Sequence, residues 1–373
     1  MDEGGQRRRR IVTAVVAAIA VVLVTSAGAW AWYVDRQIGQ VERIDLGLGS
    51  PERSTGDPAR TDAGSGTDTA DGTDEADGAD ELTAAGEDAE GEPVTVLIAG
   101  VDAGSGPSIA ESMRDGEWEP GSYRSDTIMV AHVSADRQKA YLISIPRDAW
   151  VRVPGHGRNK INAAFAIGGP RLYLDTVEQL SGLEMDHVAI LDWNGFRDLT
   201  TAIGGVEVYI PEAVNDVSQG VTWEKGRHVL EGDRALKYVR QRHGLPSGDL
   251  DRINRQQNFV RAAMRKMLST GTVSNPVKVT NVLEAVTQNL TVDDTFTDER
   301  IRELALSLRG LDGEDVRFLT VPTRGLGKVG GQSVVRLDLT RTREMFLAME
   351  RRELGVFLAD NDVPRLPDAR SVS

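Results

Sequence analysis

Two aspartates stand where apolar runs of the chain end or begin. Asp102 ends the run that starts at Val94, and Asp126 opens the next run. Ligands of α/β sheets bind beyond the ends of strands. Two carboxylates that meet there would hold a hard cation such as Mg²⁺ through oxygen, with water and substrate phosphate as the remaining ligands. A pair of turn-forming aspartates without any ligand accounts for these two residues equally well.

Basic residues are dense in a few short stretches of the sequence. Planar guanidinium groups bind phosphate oxygens in pairs, so converging arginines would suit a diphosphate. For any single residue, an exposed ion pair is the alternative interpretation. In a helix that begins near Asp249, the side chains of Asp249, Arg252 and Gln256 would share one face. The basic residues concerned are Arg124, Arg147, Lys160, Arg240, Arg242, Arg252 and Arg255.

The sequence lacks the familiar motifs of nucleophilic catalysis. It has no cysteine, no G-x-S-x-G turn, no H-E-x-x-H pair and no P-loop. Phosphoryl transfer needs little covalent participation by the protein, because positioning and charge neutralisation carry most of it. The residues above therefore favour phosphoryl transfer. Nucleic-acid binding is disfavoured, because the chain after Pro93 is close to neutral, with 35 basic and 38 acidic residues.

Hydrophobic patterning predicts an α/β domain that spans residues 94–350. Short apolar runs bounded by turn residues predict strands at 94–102, 126–133, 139–145, 187–192 and 205–210. Helical patterns predict helices at 170–180, 193–203, 231–238 and 251–268, the last with one apolar stripe. Without cysteine, burial must stabilise this domain.

The N-terminal region predicts export and membrane attachment. Residues 11–33 are almost entirely apolar, long enough for one transmembrane helix, and four arginines precede them. The positive-inside rule places residues 1–10 in the cytoplasm and the catalytic domain outside the cell membrane. A cleaved signal peptide is the alternative, and it also exports the rest.

Two further segments are predicted to lie outside the catalytic domain. Residues 34–93 are expected to form a disordered acidic linker, because between about Gly49 and Pro93 large apolar residues are almost absent. Residues 351–373 form a C-terminal tail, which we expect to be frayed from Asn361 onwards.

Seven ordered strings resemble the LytR-CpsA-Psr family. They are GVD at 100, YRSDTIMV at 123, SIPRD at 144, KINAAF at 160, GGVEVYIP at 204, ALKYVRQR at 235 and GDLDRINRQQ at 248. The resemblance is firm over residues 94–268 and looser towards Ala348. It implies an α/β/α sandwich around a central mixed β-sheet, with an apolar pocket for a polyprenyl chain. One departure is Asp251, which stands where the family often has glycine.

The resemblance also implies roles for the site residues. Asp102 and Asp126 match positions that bind Mg²⁺. Asp249 matches an acidic position, and the resemblance implies that it would act as the general base. The positions around a lipid pyrophosphate are matched by Arg124, Arg147, Lys160, Arg240, Arg242, Arg252 and Gln256, and the catalytic residues expected are Arg240, Arg242, Asp249 and Arg252.

The function implied is a transferase of cell wall biogenesis. It would move an anionic glycopolymer from a polyprenyl-pyrophosphate carrier onto a sugar hydroxyl of peptidoglycan, with no nucleic-acid partner. The polymer could be a teichoic acid, a capsular polysaccharide or an arabinogalactan, and the composition resembles that of actinobacterial proteins. Two alternatives stay open. The chain could be a polyprenyl-pyrophosphate hydrolase, and pyrophosphate hydrolysis could also be a side activity of the transferase. It could instead be a non-catalytic lipid-binding regulatory module.

Overall fold

The computed structural model describes residues 36–49, 91–102, 108–114, 118–241, 243–245, 249–268, 275–308, 311 and 315–372. The predicted transmembrane helix at 11–33 and the cytoplasmic segment at 1–10 lie outside these residues. Within the described ranges, no helix is both long and apolar enough to cross a membrane.

Strands and helices alternate along most of the chain. The strands are β1 (Glu42–Ile44), β2 (Val94–Asp102), β3 (Arg124–Val133), β4 (Ala140–Ser144), β5 (Trp150–Val153), β6 (Gly157–Lys160), β7 (His187–Asp192), β8 (Val206–Ile210), β9 (Val214–Asp216), β10 (Val221–Trp223), β11 (Gly226–Leu230), β12 (Leu290–Asp293), β13 (Val316–Thr320), β14 (Thr323–Val329) and β15 (Gln332–Leu337). The helices are α1 (Ile109–Arg114), α2 (Ile161–Ser181), α3 (Trp193–Ala202), α4 (Gly232–Arg240), α5 (Asp249–Leu268), α6 (Pro276–Asn289), α7 (Asp298–Ser307), α8 (Leu339–Glu350) and α9 (Leu354–Asp360).

A mixed sheet forms the centre of the fold. Its seven strands in the described chain have the order β1-β12-β7-β2-β3-β4-β13. The pairs β1–β12, β7–β2 and β4–β13 are parallel, and the pairs β12–β7, β2–β3 and β3–β4 are antiparallel. The predicted central mixed sheet is therefore confirmed.

Both faces of this sheet are covered by helices. Leu97, Ala99 and Val101 of β2 point into a core with α2 and α8. On the other face, Ile98 packs with residues of α5 and α7. Strands covered on both faces need apolar side chains at successive positions, which explains the continuous apolar run of β2. The flanking helices agree with the predicted α/β class.

A second core lies beside the central sheet. It joins α3 and α4 to the two-stranded sheet β8–β11, around the buried rings of Trp223, Tyr238 and Phe259. The run at 205–210 was predicted as a strand, and β8 confirms it. Its partner in the described chain is β11, so it belongs to this smaller sheet.

Most of the predicted elements agree with the structure, and the largest difference is the start of α2. A helix was predicted from Pro170, but α2 begins at Ile161 and is kinked at Gly168 and Gly169. Gly169 has a φ of +67°, and a Cβ there would lie 2.9 Å from the Trp118 ring. The proline therefore begins the second half of a kinked helix. The predicted end is confirmed, because Gly182 caps α2 in the left-handed conformation.

The prediction that residues 34–93 form a disordered linker is wrong for residues 36–49. Ile38, Val41, Ile44 and Leu46 are buried, and β1 joins the sheet beside β12. Burial of these spaced apolar residues offsets the entropy of ordering a short segment. Residues 50–90 therefore connect two strands of one sheet, and they lie outside the described residues.

The expectation that the chain frays after Asn361 is also wrong. The Thr320 N–H donates to the Pro364 carbonyl at 3.0 Å, and the Leu366 N–H donates to the Phe318 carbonyl at 3.1 Å. Val363 is only 4% exposed. Pairing with the free side of β13 satisfies the backbone of this polar segment, which explains why it packs.

Candidate active site

One edge of the central sheet collects the ends of several strands, and we call it the C-terminal edge. The strands β2 and β7 end there, as do β4 and β13, because each pair is parallel and β3 is antiparallel to both β2 and β4. β3 begins at the same edge, with Arg124 opposite Asp102. The pairing therefore brings these two predicted site residues together.

An irregularity at the start of β3 sets the position of Asp126. Gly100 faces Thr127 while Val101 faces Ser125, so Asp126 is the extra residue of a β-bulge. Bulges bend a strand and redirect a side chain. The Asp126 carboxylate accepts a hydrogen bond from the Arg147 guanidinium, and both side chains are mostly buried.

Arg147 and Lys160 belong to one corner of the C-terminal edge. Arg147 lies in the loop after β4, and its carbonyl accepts from the Asn162 N–H at 3.2 Å. The Lys160 ammonium lies 3.1 Å from the carboxylate of Asp148, the residue after Arg147. The beginning of α2 is thus held against the loop that carries Arg147.

Arg240 reaches the C-terminal edge from the end of α4. Its Nη2 donates to Asp102 Oδ2 at 2.9 Å, and both side chains remain a little over one-third exposed. The guanidinium carbon also lies 5.7 Å from the centre of the Trp193 ring, at the start of α3. An arginine over an indole is stabilised by the ring quadrupole and keeps a fixed orientation.

The first turns of α5 carry the remaining predicted residues that the structure describes. Arg252 and Gln256 are buried, with 3% and 7% of their surfaces exposed. The Gln256 amide donates to the Val239 carbonyl at 3.2 Å, next to Arg240. Asp251, the departure from the family pattern, is also buried and adds a carboxylate to this region.

Two residues that the sequence did not single out as site residues hold α5 in place. The Gln257 amide donates to Ser144 Oγ at 2.8 Å and to the Leu319 carbonyl at 2.7 Å, at the ends of β4 and β13. Arg255, noted only as one of the dense basic residues, is fully buried and donates to Gln241 Oε1 at 2.5 Å. The sequence feature that could have identified both residues is the basic, amide-rich string that begins at residue 248.

Arg255 differs electrostatically from the more exposed arginines. Burial lowers the pKa of its guanidinium, while the nearby Tyr238, Asp251 and Asp216 act in the opposite sense. Its guanidinium carbon lies 4.7 Å from the centre of the Tyr238 ring. These contacts favour a positioning role for Arg255 between α4 and α5.

The predicted residues fall into three groups. Asp102, Asp126, Arg124, Arg147 and Arg240 are brought together at the C-terminal edge, and Lys160 is joined to it through Asp148. Arg252 and Gln256 lie on α5, which is fastened to the same edge. Arg242 and the side chain of Asp249 lie outside the described residues, so their roles stay predictions.

Asp102 and Asp126 are the candidate ligands of Mg²⁺, and each carboxylate is paired with an arginine in the structure. Both offer hard carboxylate oxygens, and Mg²⁺ is usually bound by one or two carboxylates together with water and substrate phosphate. Across the described ranges, no group of three or more His, Cys, Asp or Glu side chains could hold a metal ion. Water and a substrate phosphate would complete the coordination of a magnesium ion bound there.

Comparison with known proteins identifies relatives over most of the chain. A sequence model of the LytR_cpsA_psr family matches residues 61–351. The cell wall biosynthesis protein LcpA of Corynebacterium glutamicum is 34% identical over 67% of this chain and 54% of its own. The polyisoprenyl-teichoic acid–peptidoglycan teichoic acid transferase TagU of Enterococcus faecalis is 34% identical over 60% of this chain and 68% of its own. The chain spans about half the length of the corynebacterial relatives it matches.

Solved structures share the fold. A structure of TagT bound to LIIa-WTA aligns with a TM-score of 0.54 and 25% identity, over 73% of this chain and 94% of that one. A structure of TagV from Bacillus subtilis aligns with a TM-score of 0.57 and 22% identity, over 70% of this chain and 97% of that one. The central mixed sheet and its flanking helices are therefore an arrangement that these proteins have in common.

Proposed function

This chain belongs to the LytR-CpsA-Psr family, and on that premise we propose that it is a phosphotransferase of cell wall assembly. It moves an anionic glycopolymer from a polyprenyl-pyrophosphate carrier onto a sugar hydroxyl of peptidoglycan. The observation that carries the proposal is the gathering of Arg124, Arg147 and Arg240 around Asp102 and Asp126 at one sheet edge. The names of TagU and of the TagT complex support the same substrate class.

The arginines would bind and neutralise the pyrophosphate. Arg240 and Arg147 are each held by a carboxylate, so their guanidinium planes are oriented before substrate arrives. Preorganised cations stabilise charge as it develops on the leaving group, and this stabilisation usually lowers the barrier more than any other single effect. Buried Arg252 would contribute a further charge from α5.

The reaction itself is a displacement at phosphorus. The oxygen of the acceptor hydroxyl forms a bond to the sugar-linked phosphorus, and the bond from that phosphorus to the bridging oxygen breaks. The hydroxyl proton passes to a general base, for which Asp249 is our candidate, and prenyl phosphate leaves with the bonding electrons. Asp102 and Asp126 would hold Mg²⁺, which when bound supplies charge neutralisation to the pyrophosphate oxygens.

We also propose that residues 11–33 anchor the chain in the cell membrane with the domain outside. The path of residues 36–49 supports this placement. β1 runs parallel to β12, which begins at the C-terminal edge, so the chain reaches the sheet from the side of the candidate site. An anchor ending near Tyr33 would therefore hold the site close to the bilayer surface, where a lipid-linked pyrophosphate lies.

Product identity tests the proposal. The full chain in detergent is incubated with a synthetic polyprenyl-pyrophosphate disaccharide and peptidoglycan fragments, with and without Mg²⁺, and the products are read by mass spectrometry. We expect a Mg²⁺-dependent sugar-phosphate adduct on peptidoglycan together with prenyl phosphate. Free sugar phosphate alone would instead identify a hydrolase, and binding without turnover would identify a non-catalytic lipid-binding module.

A further inference from the structure

A cleft of about 560 Å³ lies away from the candidate site. It is bounded by one face of the β8–β11 sheet, the C-terminal half of α5, and residues 369 and 370. None of the residues assigned above to catalysis lines it. The polar and charged residues that line the cleft include Glu207, Tyr209, Asn258, Arg265, Lys266 and Arg370.

The cleft is distinct from the candidate site by the geometry of α5. Asn258 and Arg265 lie on the side of the helix roughly opposite to Arg252 and Gln256, because successive residues turn by about 100°. Lys266 lies on the same side as Arg252 but about four turns further along the helix. At a rise of about 1.5 Å per residue, Arg265 lies about 20 Å further along the axis than Arg252. One helix therefore joins two separate regions that could contact one extended ligand.

Positive charge dominates the cleft. Of its lining residues that the structure describes, Arg227, Arg265, Lys266 and Arg370 are cationic and one, Glu207, is anionic. Glu207 is paired with Arg227 at 2.5 Å, so these two charges largely neutralise each other. Arg265 and Arg370, which are both exposed to solvent, supply the surplus, and Lys266 lines the cleft beside Arg265.

The cleft also contains an aromatic group that suits a carbohydrate. Tyr209 is partly exposed on the wall formed by β8 and offers an aromatic edge or face. Asn258 is 2% exposed, and its Oδ1 accepts from the Arg261 guanidinium at 2.6 Å. The same side chain also interacts with the Tyr238 hydroxyl, so Asn258 ties the floor of the cleft to the second core. Exposed cations and an aromatic ring together match a glycan that carries phosphate or carboxylate groups.

We propose that this cleft is a second subsite, which binds anionic units of the glycopolymer away from the reacting pyrophosphate. The inference rests on the proposed function, because it takes the polymer to be the donor substrate. Binding of remote units would favour a long anionic donor over a short neutral one, so selectivity for polymer length and charge would arise here. The charge surplus makes the interaction dependent on ionic strength.

Two donors and one variant test the subsite. One donor is a prenyl-pyrophosphate disaccharide, and the other is the same disaccharide extended by a glycerol phosphate hexamer. The variant is Arg265→Ala/Lys266→Ala/Arg370→Ala, and the control is Lys328→Ala/Arg341→Ala/Arg351→Ala, which removes three exposed charges elsewhere. The full chain is used throughout, and thermal unfolding checks that each variant is folded.

We expect the cleft variant to raise KM for the extended donor about tenfold and to leave KM for the disaccharide unchanged. The control should leave both values unchanged. An equal KM for the extended donor in variant and wild type would overturn the subsite. If neither donor turns over, the proposed function fails, and the subsite is then tested by fluorescence anisotropy with a labelled glycerol phosphate hexamer. Equal affinity of the wild type and the cleft variant for the hexamer would overturn the subsite. Weaker binding by the variant would support it.

Discussion

Asp102 and Arg240 lie 138 residues apart in the chain and form an ion pair, with 2.9 Å between Oδ2 and Nη2. Asp102 ends the strand β2, and Arg240 ends the helix α4. The pair therefore joins the central sheet to the second core, at the edge where the candidate phosphate-binding residues gather. Because each side chain is over one-third exposed, the ion pair contributes little to the stability of the fold. We infer that its role is to orient the Arg240 guanidinium.

Replacement of Arg240 should remove catalysis without unfolding the chain. We expect Arg240→Ala to lower kcat about 100-fold to 1,000-fold, since it deletes a preorganised cation at the leaving group. Arg240→Lys keeps the charge but loses the planar fork, so it should recover only part of the rate. Steady-state transfer assays measure both, with exposed Arg341→Ala as the matched control. Near wild-type turnover by folded Arg240→Ala would contradict the assignment.

Replacement of Asp126 should change the magnesium requirement. Asp126→Asn removes one of two carboxylates that would hold the ion, so we expect at least about a tenfold higher Mg²⁺ concentration at half-maximal activity. A titration of activity against Mg²⁺ measures this, with Asp360→Asn on the surface of α9 as the control. A reduced maximal rate with an unchanged Mg²⁺ midpoint would show that Asp126 acts only through Arg147.

Gln257 should matter for stability before it matters for chemistry. Its buried amide donates to Ser144 and Leu319, and removal leaves the buried carbonyl of Leu319 without that donor. We expect Gln257→Ala to lower the free energy of unfolding by about 2–3 kcal/mol. Urea denaturation measures the change, and the exposed Gln288→Ala on α6 serves as the control. A loss no greater than the control's would mean that α5 is held mainly by its apolar face.

His132 should make the domain less stable in acid. Burial, reinforced by the charge of Arg137, lowers the pKa of His132 from 6.5 to about 4. Below pH 6.5 the unfolded chain binds a proton that the folded chain excludes, so stability falls until the pH reaches about 4. The full loss is about 3 kcal/mol. Urea denaturation across this range should show a loss in His132→Gln that is smaller than the wild-type loss by about 3 kcal/mol. Equal pH dependence in both would exclude His132 as the cause.

Residues 36–49 should be needed for stability, whereas residues 51–90 should not. A chain starting at Arg36 keeps Ile38, Val41 and Ile44 in the core, and a chain starting at Val94 loses them. We expect the shorter chain to be less stable by at least about 3 kcal/mol. Replacing residues 51–90 by a short Gly-Ser linker should change stability by less than about 1 kcal/mol. Thermal and urea unfolding of the three proteins distinguish these cases.

Local sequence patterns were enough to predict the strands and helices that position most of the candidate site. β2 and β7 have the bounds that their apolar runs predicted, and the Gly182 cap ends α2 where expected. Such features depend on residues close in the chain. The placement of Asp102 and Asp126 at strand ends followed from the same runs.

Pairing between segments that are distant in the chain could not be predicted from local sequence patterns. β1 is three residues long, and its partner β12 lies about 250 positions later, so no local pattern marks it as a strand. The segment after Asn361 is polar, yet it packs because β13 offers an unpaired edge. The Asp126 bulge likewise depends on its register with β2. Each of these features is decided by a partner that is distant in the chain.

The central claim is that the acceptor of the sugar-linked phosphate is a hydroxyl of peptidoglycan. The most direct test is the transfer assay in water enriched in oxygen-18, with the mass of the phosphate-bearing product measured by mass spectrometry. We predict a peptidoglycan adduct whose phosphate carries no oxygen-18, because the bridging oxygen comes from the sugar. A product consisting only of free sugar phosphate with one oxygen-18 would contradict the claim, since water would then be the acceptor.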